Sequence, residues 1–207
     1  MEHFIGEGFW SIMGALIGAF LGAFFGFITS AFLDYRRNIK LERAFYNETR
    51  FIYGHVESFF KRIADEYEKR KIDLDQGEKY SAPHKVDFSV FSELHLELYK
   101  TRKIPNYDHR RFVQNVKIQW DKVRDMDKGR VRRLNDDSYM HWVDHAPSLE
   151  VSYYLVDLLY YFEFFDKEKY KFKFRGDVSF KDKSFKVFEK YGLMNSSLQK
   201  GFFEAFC

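Results

Sequence analysis

The sequence is poor in cysteine and in the motifs of common enzymes. Its one cysteine among 207 residues is Cys207, so the chain can form no internal disulfide and no four-cysteine zinc site. No glycine-rich phosphate loop, Walker motif or nucleophile elbow is present. The usual signs of nucleotide hydrolysis and serine-type catalysis are therefore missing, and we expect no cofactor and no metal.

Charge is absent from residues 8–33, the stretch GFWSIMGALIGAFLGAFFGFITSAFL. A helix of this length, rising about 1.5 Å per residue, would measure about 39 Å, which exceeds the hydrocarbon core of a bilayer at about 30 Å. A signal peptide would begin with basic residues, whereas Glu2 and Glu7 precede this stretch. We therefore predict a transmembrane helix at residues 8–33.

Lysine and arginine are absent before this helix but frequent after it. Basic residues follow at Arg36, Arg37, Lys40 and Arg43. Because an excess of Lys and Arg marks the cytoplasmic side of a span, we expect residues 1–7 to lie outside the cytoplasm. Residues 34–207 are then predicted to form one cytoplasmic domain.

Small residues recur inside the predicted span at helical spacing. One half of the helix would carry the small and hydroxyl-bearing side chains, which are Ser11, Gly14, Ala15, Gly18, Ala19, Gly22, Ala23, Gly26, Thr29 and Ser30. Larger side chains such as Leu16 and Phe20 would fall on the other half. Helices in lipid associate through close backbone packing, so we predict that this small-residue face packs against another helix.

No other part of the chain is apolar enough to be that second helix. The run at residues 151–165 is short and contains Asp157 and Glu163. The predicted partners are therefore membrane lipid and further copies of the same chain. Two copies would suffice for a dimer, whereas a ring of four or more would turn the small-residue face toward a central axis and could enclose a pore.

Apolar residues keep helical spacing through most of the remaining sequence, which predicts a mainly α domain. Residues 34–71 contain no proline and one glycine, so we expect a long helix that continues from the span. Further helices are predicted at about residues 88–103, 106–127 and 149–166 and near the C-terminus. The centre of the core is predicted at Val151, Leu155, Leu158, Leu159 and Phe162.

Two segments lack helical spacing. Residues 135–147 are polar and predicted to be irregular. From Lys169 onward, Tyr170, Phe172 and Phe174 alternate with basic residues, and Gly176 follows. This alternation is typical of a strand and turn, so we expect a small β-hairpin at residues 169–181.

Arg50 and His55 are the candidates for catalysis. They stand in the sequence RFIYGH, which resembles the arginine, four residues, histidine motif of HEPN-superfamily ribonucleases. The resemblance implies that the imidazole transfers protons and the guanidinium stabilises phosphate charge. The alternative is that both are polar residues on a helix at an oligomer interface.

A pair of histidines and a basic segment are the remaining candidates for binding. His141 and His145 have the spacing of a metal-binding pair on a helix, but no clear further ligands. The segment from Lys100 to Arg133 carries twelve Lys or Arg and four Asp. It predicts either a solvated surface or an anion site formed by Arg110, Arg111, Lys117, Arg124, Arg130, Arg132 and Arg133.

The sequence GALIGAFLGAFFGF, followed by DYRRNIKLER, resembles bacterial anti-phage membrane effectors. These include a HEPN-like pore protein associated with CRISPR systems and nucleotide-gated channel effectors. The resemblance implies a protein of the bacterial inner membrane that opens a pore and depolarises the membrane. It also implies that an anionic nucleotide, an oligonucleotide or a CRISPR or other defence partner controls opening.

Overall fold

The computed structural model describes residues 2–73, 82–101, 107–133 and 140–207. The protein is mainly α, and a long N-terminal helix leads into a helical bundle, as predicted. The helices are α1 (Glu2–Lys69), α2 (Phe88–Lys100), α3 (Tyr107–Asp127), α4 (His145–Glu168), α5 (Phe180–Lys190) and α6 (Ser197–Phe206). Three short strands also occur among the described residues, namely β1 (Lys71–Asp73), β2 (Val131–Arg133) and β3 (Met140–Val143).

The chain divides into two compact units, Met1–Arg43 and Ala44–Cys207. In the first unit, the side chains of residues 9–37 are exposed although most of them are apolar up to Leu33. Among the described residues, α1 is the one helix long and apolar enough to cross a membrane. A helix of a soluble core would bury such side chains, so their exposure agrees with a segment made to contact lipid.

The core of the second unit is built around α4. All five residues predicted at its centre are buried, namely Val151, Leu155, Leu158, Leu159 and Phe162. Helices α3, α5 and α6 each pack against α4. Aromatic rings fill much of the space between them, since Phe112 of α3 stacks on Phe165 with ring centres 4.1 Å apart. The helical spacing of apolar residues thus located this core correctly.

Helix α4 begins at His145, four residues before the predicted start at residue 149. Its N-cap is Asp144, whose carboxylate accepts a hydrogen bond from the backbone N–H of Ala146. Ser148 lies inside the helix and donates its hydroxyl to the carbonyl of Asp144. Pro147 is accommodated because a proline in the first turn lacks only an N–H that would have no partner within the helix.

The three strands form an antiparallel sheet with β3 in the centre, flanked by β1 and β2. Ile72 pairs with His141 on one side of β3, and Arg132 pairs with Trp142 on the other. The prediction of irregular structure is therefore wrong for residues 140–143, while residues 134–139 lie outside the described part. Strands of three or four residues are too short to show an alternating pattern, and the partner of β1 is distant in sequence.

The predicted hairpin at residues 169–181 is also wrong. Residues Lys169–Lys171 form a 3₁₀ turn, and no strand follows before α5. Phe172 is fully buried against Phe112 and Phe165, and Phe174 packs on Tyr161. The alternation therefore reflects an extended segment in which Phe172 and Phe174 pack against the helices, whereas Tyr170 in the 3₁₀ turn is exposed. Residues 178–180, which were expected to form the partner strand, instead lead into α5, which begins at Phe180.

Arg130 is a fully buried cation between α3 and β2. Its guanidinium donates from Nε to Asp127 Oδ1 at 2.7 Å and from Nη1 to Glu66 on α1. Burial opposes its charge, but the two carboxylates outweigh that effect and raise the pKa of Arg130. Its backbone carbonyl accepts the N–H of Asp144 at 2.8 Å. One residue therefore links α1, α3 and the start of α4.

Replacing Arg130 with methionine should destabilise the second unit strongly. Glu66 and Asp127 would be left buried without their cation, and breaking such a pair typically costs about 3–5 kcal/mol. Denaturant unfolding of the full chain would measure the change. Arg132→Met is the matched control, because Arg132 is 69% exposed and pairs with Asp144 at 3.3 Å, and should cost less than about 1 kcal/mol. Equal losses in the two variants would contradict the assigned role.

His109 on α3 is a second buried polar residue, enclosed by aromatic rings. Its ring centre lies 5.0 Å from that of Phe165 and 6.1 Å from that of Phe172. Among the described residues, neither ring nitrogen has a hydrogen-bond partner. Burial lowers the pKa of His109 to about 4; the nearby backbone of Lys169 and Tyr170 and the charge of Asp108 oppose this effect, and His95 adds to it.

This lowered pKa predicts a loss of stability in mild acid. The unfolded chain binds a proton at this imidazole near pH 6.5 and the folded chain near pH 4, so the contribution is present above pH 6.5 and is lost as the pH falls toward 4. The difference corresponds to about 3 kcal/mol. His109→Phe keeps the aromatic contacts and should flatten the dependence when unfolding is measured across this range. An unchanged slope would contradict the prediction.

Candidate functional site

The predicted small-residue face lies on α1 in the first unit and is open to the surroundings. Residues 11–30 are helical and exposed throughout. Apart from the adjacent backbone of the helix itself, a Cβ atom added at Gly14, Gly18, Gly22 or Gly26 would meet no heavy atom within 4 Å. Packing within this chain therefore does not require glycine at any of the four positions, although each glycine costs about 1 kcal/mol of helix propensity relative to alanine.

Aromatic and basic side chains stand at the two ends of this apolar segment. Trp10 and Tyr35 are both exposed, and the twenty-five helical steps between them correspond to about 37 Å. The guanidinium of Arg36 lies over the ring of Phe32, 5.0 Å from its centre. Trp and Tyr concentrate at membrane interfaces, and long basic side chains near helix ends reach toward the head groups. The aromatic residues near both ends and the basic residue at the C-terminal end are thus the types found at the two interfaces of a membrane span.

Arg50 and His55 point to different sides of α1. Five helical steps of about 100° place them about 140° apart around the axis. Arg50 donates to Asp166 of α4 at 2.7 Å, and this ion pair lies at the surface, with the two side chains 56% and 37% exposed. His55 contacts Phe51 and His84, and burial together with His84 lowers its pKa. Each residue thus has its own neighbours, and a shared phosphate site is not formed within one chain.

Replacing Arg50 and His55 with alanine together should leave both the fold and cellular RNA unchanged. The ion pair of Arg50 with Asp166 is exposed, and such pairs contribute up to about 1 kcal/mol. Denaturant unfolding and the integrity of total RNA from expressing cells would test this. RNA cleavage by the wild type that disappears in the double variant would instead support the ribonuclease interpretation.

His141 and His145 do not lie on one helix. His141 belongs to β3, whereas His145 begins α4 and stacks on Tyr67 with ring centres 4.1 Å apart. Burial and Arg70 lower the pKa of His145. No cluster of three or more His, Cys, Asp or Glu suited to a metal occurs in the part of the chain that the structure describes.

Four of the seven basic candidates are spread along α3. Arg110 is exposed, and Arg111 lies over the ring of Phe174, 4.7 Å from its centre. Lys117 and Arg124 follow two and four turns later, so the set extends over about 21 Å from Arg110 to Arg124. They form a stripe along the helix and do not converge on one small ligand.

The other three basic candidates lie at or near β2, and the sequence-based assignment needs correction there. Arg130 is buried and held by Glu66 and Asp127, so it is not available to an external anion. Arg132 is exposed and pairs with Asp144. Arg133 pairs through its backbone with His141, and its side chain lies outside the described part of the structure.

Lys117 and Arg124 share a shallow groove of about 420 Å³ with the start of α2. Asp87 and Asp121 line the same groove. Asp87 caps α2 through the N–H of Ser89, and Arg124 approaches Asp121 at 3.5 Å. The two positive charges are therefore balanced locally, which makes this groove a weak anion site.

A groove that the sequence did not predict lies between α4 and α5. Tyr160 and Phe164 line it from α4, and Lys186 and Lys190 line it from α5. Lys186 and Lys190 belong to one of the helices predicted near the C-terminus, and Tyr160 is one of many aromatic residues in an apolar helix. The sequence carries no signal that pairs these two helices.

Comparison of the chain with protein-family models, with curated proteins and with solved structures finds no match. The candidate sites therefore depend on the residues and geometry of this chain. The strongest of them is the exposed small-residue face of α1, because it combines an apolar surface with glycines that no internal contact requires.

Proposed function

We propose that the chain is a single-pass membrane protein whose copies assemble, four or more together, into a gated pore. The observation that carries this proposal is the small-residue face of α1, where a Cβ atom added at any of the four glycines would contact nothing beyond the adjacent backbone of its own helix. Four glycines destabilise a helix unless another interaction compensates for their low helix propensity. Close packing against a neighbouring helix in lipid is such a gain.

The membrane span itself is supported by exposure and by the end residues. Apolar side chains between Phe9 and Leu33 are exposed, Trp10 and Tyr35 stand at interfacial spacing, and basic residues follow. In this proposal the N-terminus faces away from the cytoplasm, and residues 34–207 lie in the cytoplasm of a bacterial cell, beneath the inner membrane.

A ring is favoured over a dimer by the composition and breadth of the small-residue face. A helix in a ring contacts two neighbours and presents a third surface to the axis, so it needs a broad face of small residues. Alanines flank the glycines, and Ser11, Thr29 and Ser30 add hydroxyls near both ends. Such hydroxyls could hydrogen-bond with water along a central path. The Phe-rich half, including Phe20 and Phe24, would face lipid.

The biological role that we propose is anti-phage defence by depolarisation of the inner membrane. Support for this part comes from the resemblance of GALIGAFLGAFFGF and DYRRNIKLER to membrane effectors of such systems. The second unit would then receive the signal, either an anionic nucleotide or oligonucleotide or a CRISPR or other defence partner. Arg110 and Lys117 remain exposed on α3 for such a contact.

Neither alternative function has an observation that favours it over the pore. A membrane-tethered ribonuclease would need Arg50 and His55 to act together, and they lie on different sides of α1. A scaffold without chemistry would share the membrane anchor and differ in its assembly and ion flux. Measurements of mass and of ion leakage therefore separate these alternatives.

Replacing Gly18 and Gly22 with leucine should abolish both assembly and ion leakage. Two large side chains on the small-residue face would prevent close approach of the helices. Mass measurement of the purified protein in detergent should give four or more copies for the wild type and a monomer for the variant. Dye or ion release from vesicles should fall in parallel.

The matched control replaces Phe20 and Phe24 with leucine on the opposite half of the helix. This pair has the same spacing, and its substitution should preserve both mass and leakage. A monomeric wild-type protein would overturn the pore. Leakage that persists in the glycine variant would show that the conducting path lies elsewhere.

A further inference from the structure

Tyr160, which lines the groove between α4 and α5, has a buried hydroxyl without a hydrogen-bond partner among the described residues. Tyr160 on α4 is 2% exposed, and its Oη forms no hydrogen bond with any residue that the structure describes. Leaving a buried donor unpaired is costly, and native proteins usually satisfy such groups with protein, water or a ligand. Because burial raises the pKa of Tyr160, its hydroxyl stays protonated at neutral pH and can donate.

The groove has a volume of about 430 Å³ and a positively charged lining. Its lining carries three lysines and two glutamates, with Glu163 and Lys167 on α4 and Lys186, Glu189 and Lys190 on α5. Glu163 already accepts from Lys167 at 2.7 Å and from Lys190 at 3.1 Å. Lys190 also donates to the hydroxyl of Tyr53 at 2.7 Å. This network occupies the α4 carboxylate and two of the three lysines.

Lys186 is the one lysine of the groove lining that takes no part in this network. Its ammonium lies 6.0 Å from the centre of the Tyr160 ring, and among the described residues it forms no hydrogen bond or ion pair. Lys183 lies 5.6 Å from the centre of the same ring, with Tyr161 and Asp157 as its partners. Two ammonium groups thus lie near the phenol ring, and that of Lys186 has no hydrogen bond or ion pair among the described residues.

We propose that this groove binds a phosphate-type oxyanion, with Tyr160 and Lys186 as its donors. An oxyanion could accept from the neutral hydroxyl and from the ammonium at once, which satisfies the orphaned donor and neutralises the unpaired cation. Arg175 lies 4.4 Å from the centre of the Phe164 ring, beside the groove, and is paired with Glu168 at 2.8 Å. The site is separate from the α3 stripe, and its existence does not depend on the proposed pore.

The proposal predicts opposite effects of Tyr160→Phe with and without phosphate. Without phosphate, the full-length protein in detergent should keep or exceed its melting temperature, because an unpaired buried hydroxyl is removed. With phosphate, the wild type should melt at a higher temperature than in chloride of equal ionic strength, since a ligand of the folded state stabilises it. The variant should lose that increase.

Titration calorimetry with inorganic phosphate tests the second donor. Lys186→Met should weaken binding by about tenfold or more, as expected when a charge-assisted hydrogen bond is lost. Lys181→Met is the matched control, because Lys181 is an exposed lysine on α5 outside the groove, and it should bind phosphate like the wild type. This pair of variants also decides the question if Tyr160→Phe does not fold.

The oxyanion could come from a soluble phosphate or from a lipid head group. Melting in nanodiscs of phosphatidylglycerol and of phosphatidylcholine separates these sources, since stabilisation specific to the anionic lipid and dependent on Tyr160 indicates a head group. Wild-type protein that melts alike in phosphate, chloride and both lipids would overturn the proposal. Phosphate effects that Tyr160→Phe and Lys186→Met both retain would overturn it as well.

Discussion

The second unit depends on a guanidinium that has to keep both of its carboxylate partners. Arg130 is removed from water, and a charge in that position is tolerable only with close and complementary neighbours. Glu66 and Asp127 come from two different helices, so the ends of α1 and α3 are fixed near each other. The carbonyl of Arg130 then receives the N–H of Asp144, the residue that caps α4. Arg130 thus pairs with the carboxylates of two helices through its side chain and binds the N-cap residue of a third through its backbone.

The remaining architecture follows from where α4 is placed. Once its start is fixed beside Arg130, the rings of Phe162 and Phe165 pack on α3, and Lys183 of α5 reaches Asp157. Phe172 closes the same aromatic cluster from the segment after α4. The α4–α5 groove lies along the surface of this packing, and the buried Tyr160 hydroxyl beside it has no hydrogen-bond partner among the described residues.

The sequence predicted the parts of the fold that repeat and missed those that depend on a distant partner. Val151 and Leu155 belong to a strong helical period, and their burial was foreseen. The burial of Arg130 was not, because its charge suggested a surface and its partner Glu66 is distant in sequence. The strand pairing of Ile72 with His141 was missed as well, because these two residues are also distant in sequence. For the candidate sites, the glycine face was visible as a local pattern, whereas Tyr160 and Lys186 meet only through tertiary packing.

The small sheet has a consequence for how copies of this chain can meet. Its edge strands β1 and β2 have three residues each, and both pair inward with β3. Within the described residues, edges this short offer too few unpaired N–H and C=O groups to template the addition of a foreign strand. Addition of a strand from another molecule at these edges is therefore disfavoured.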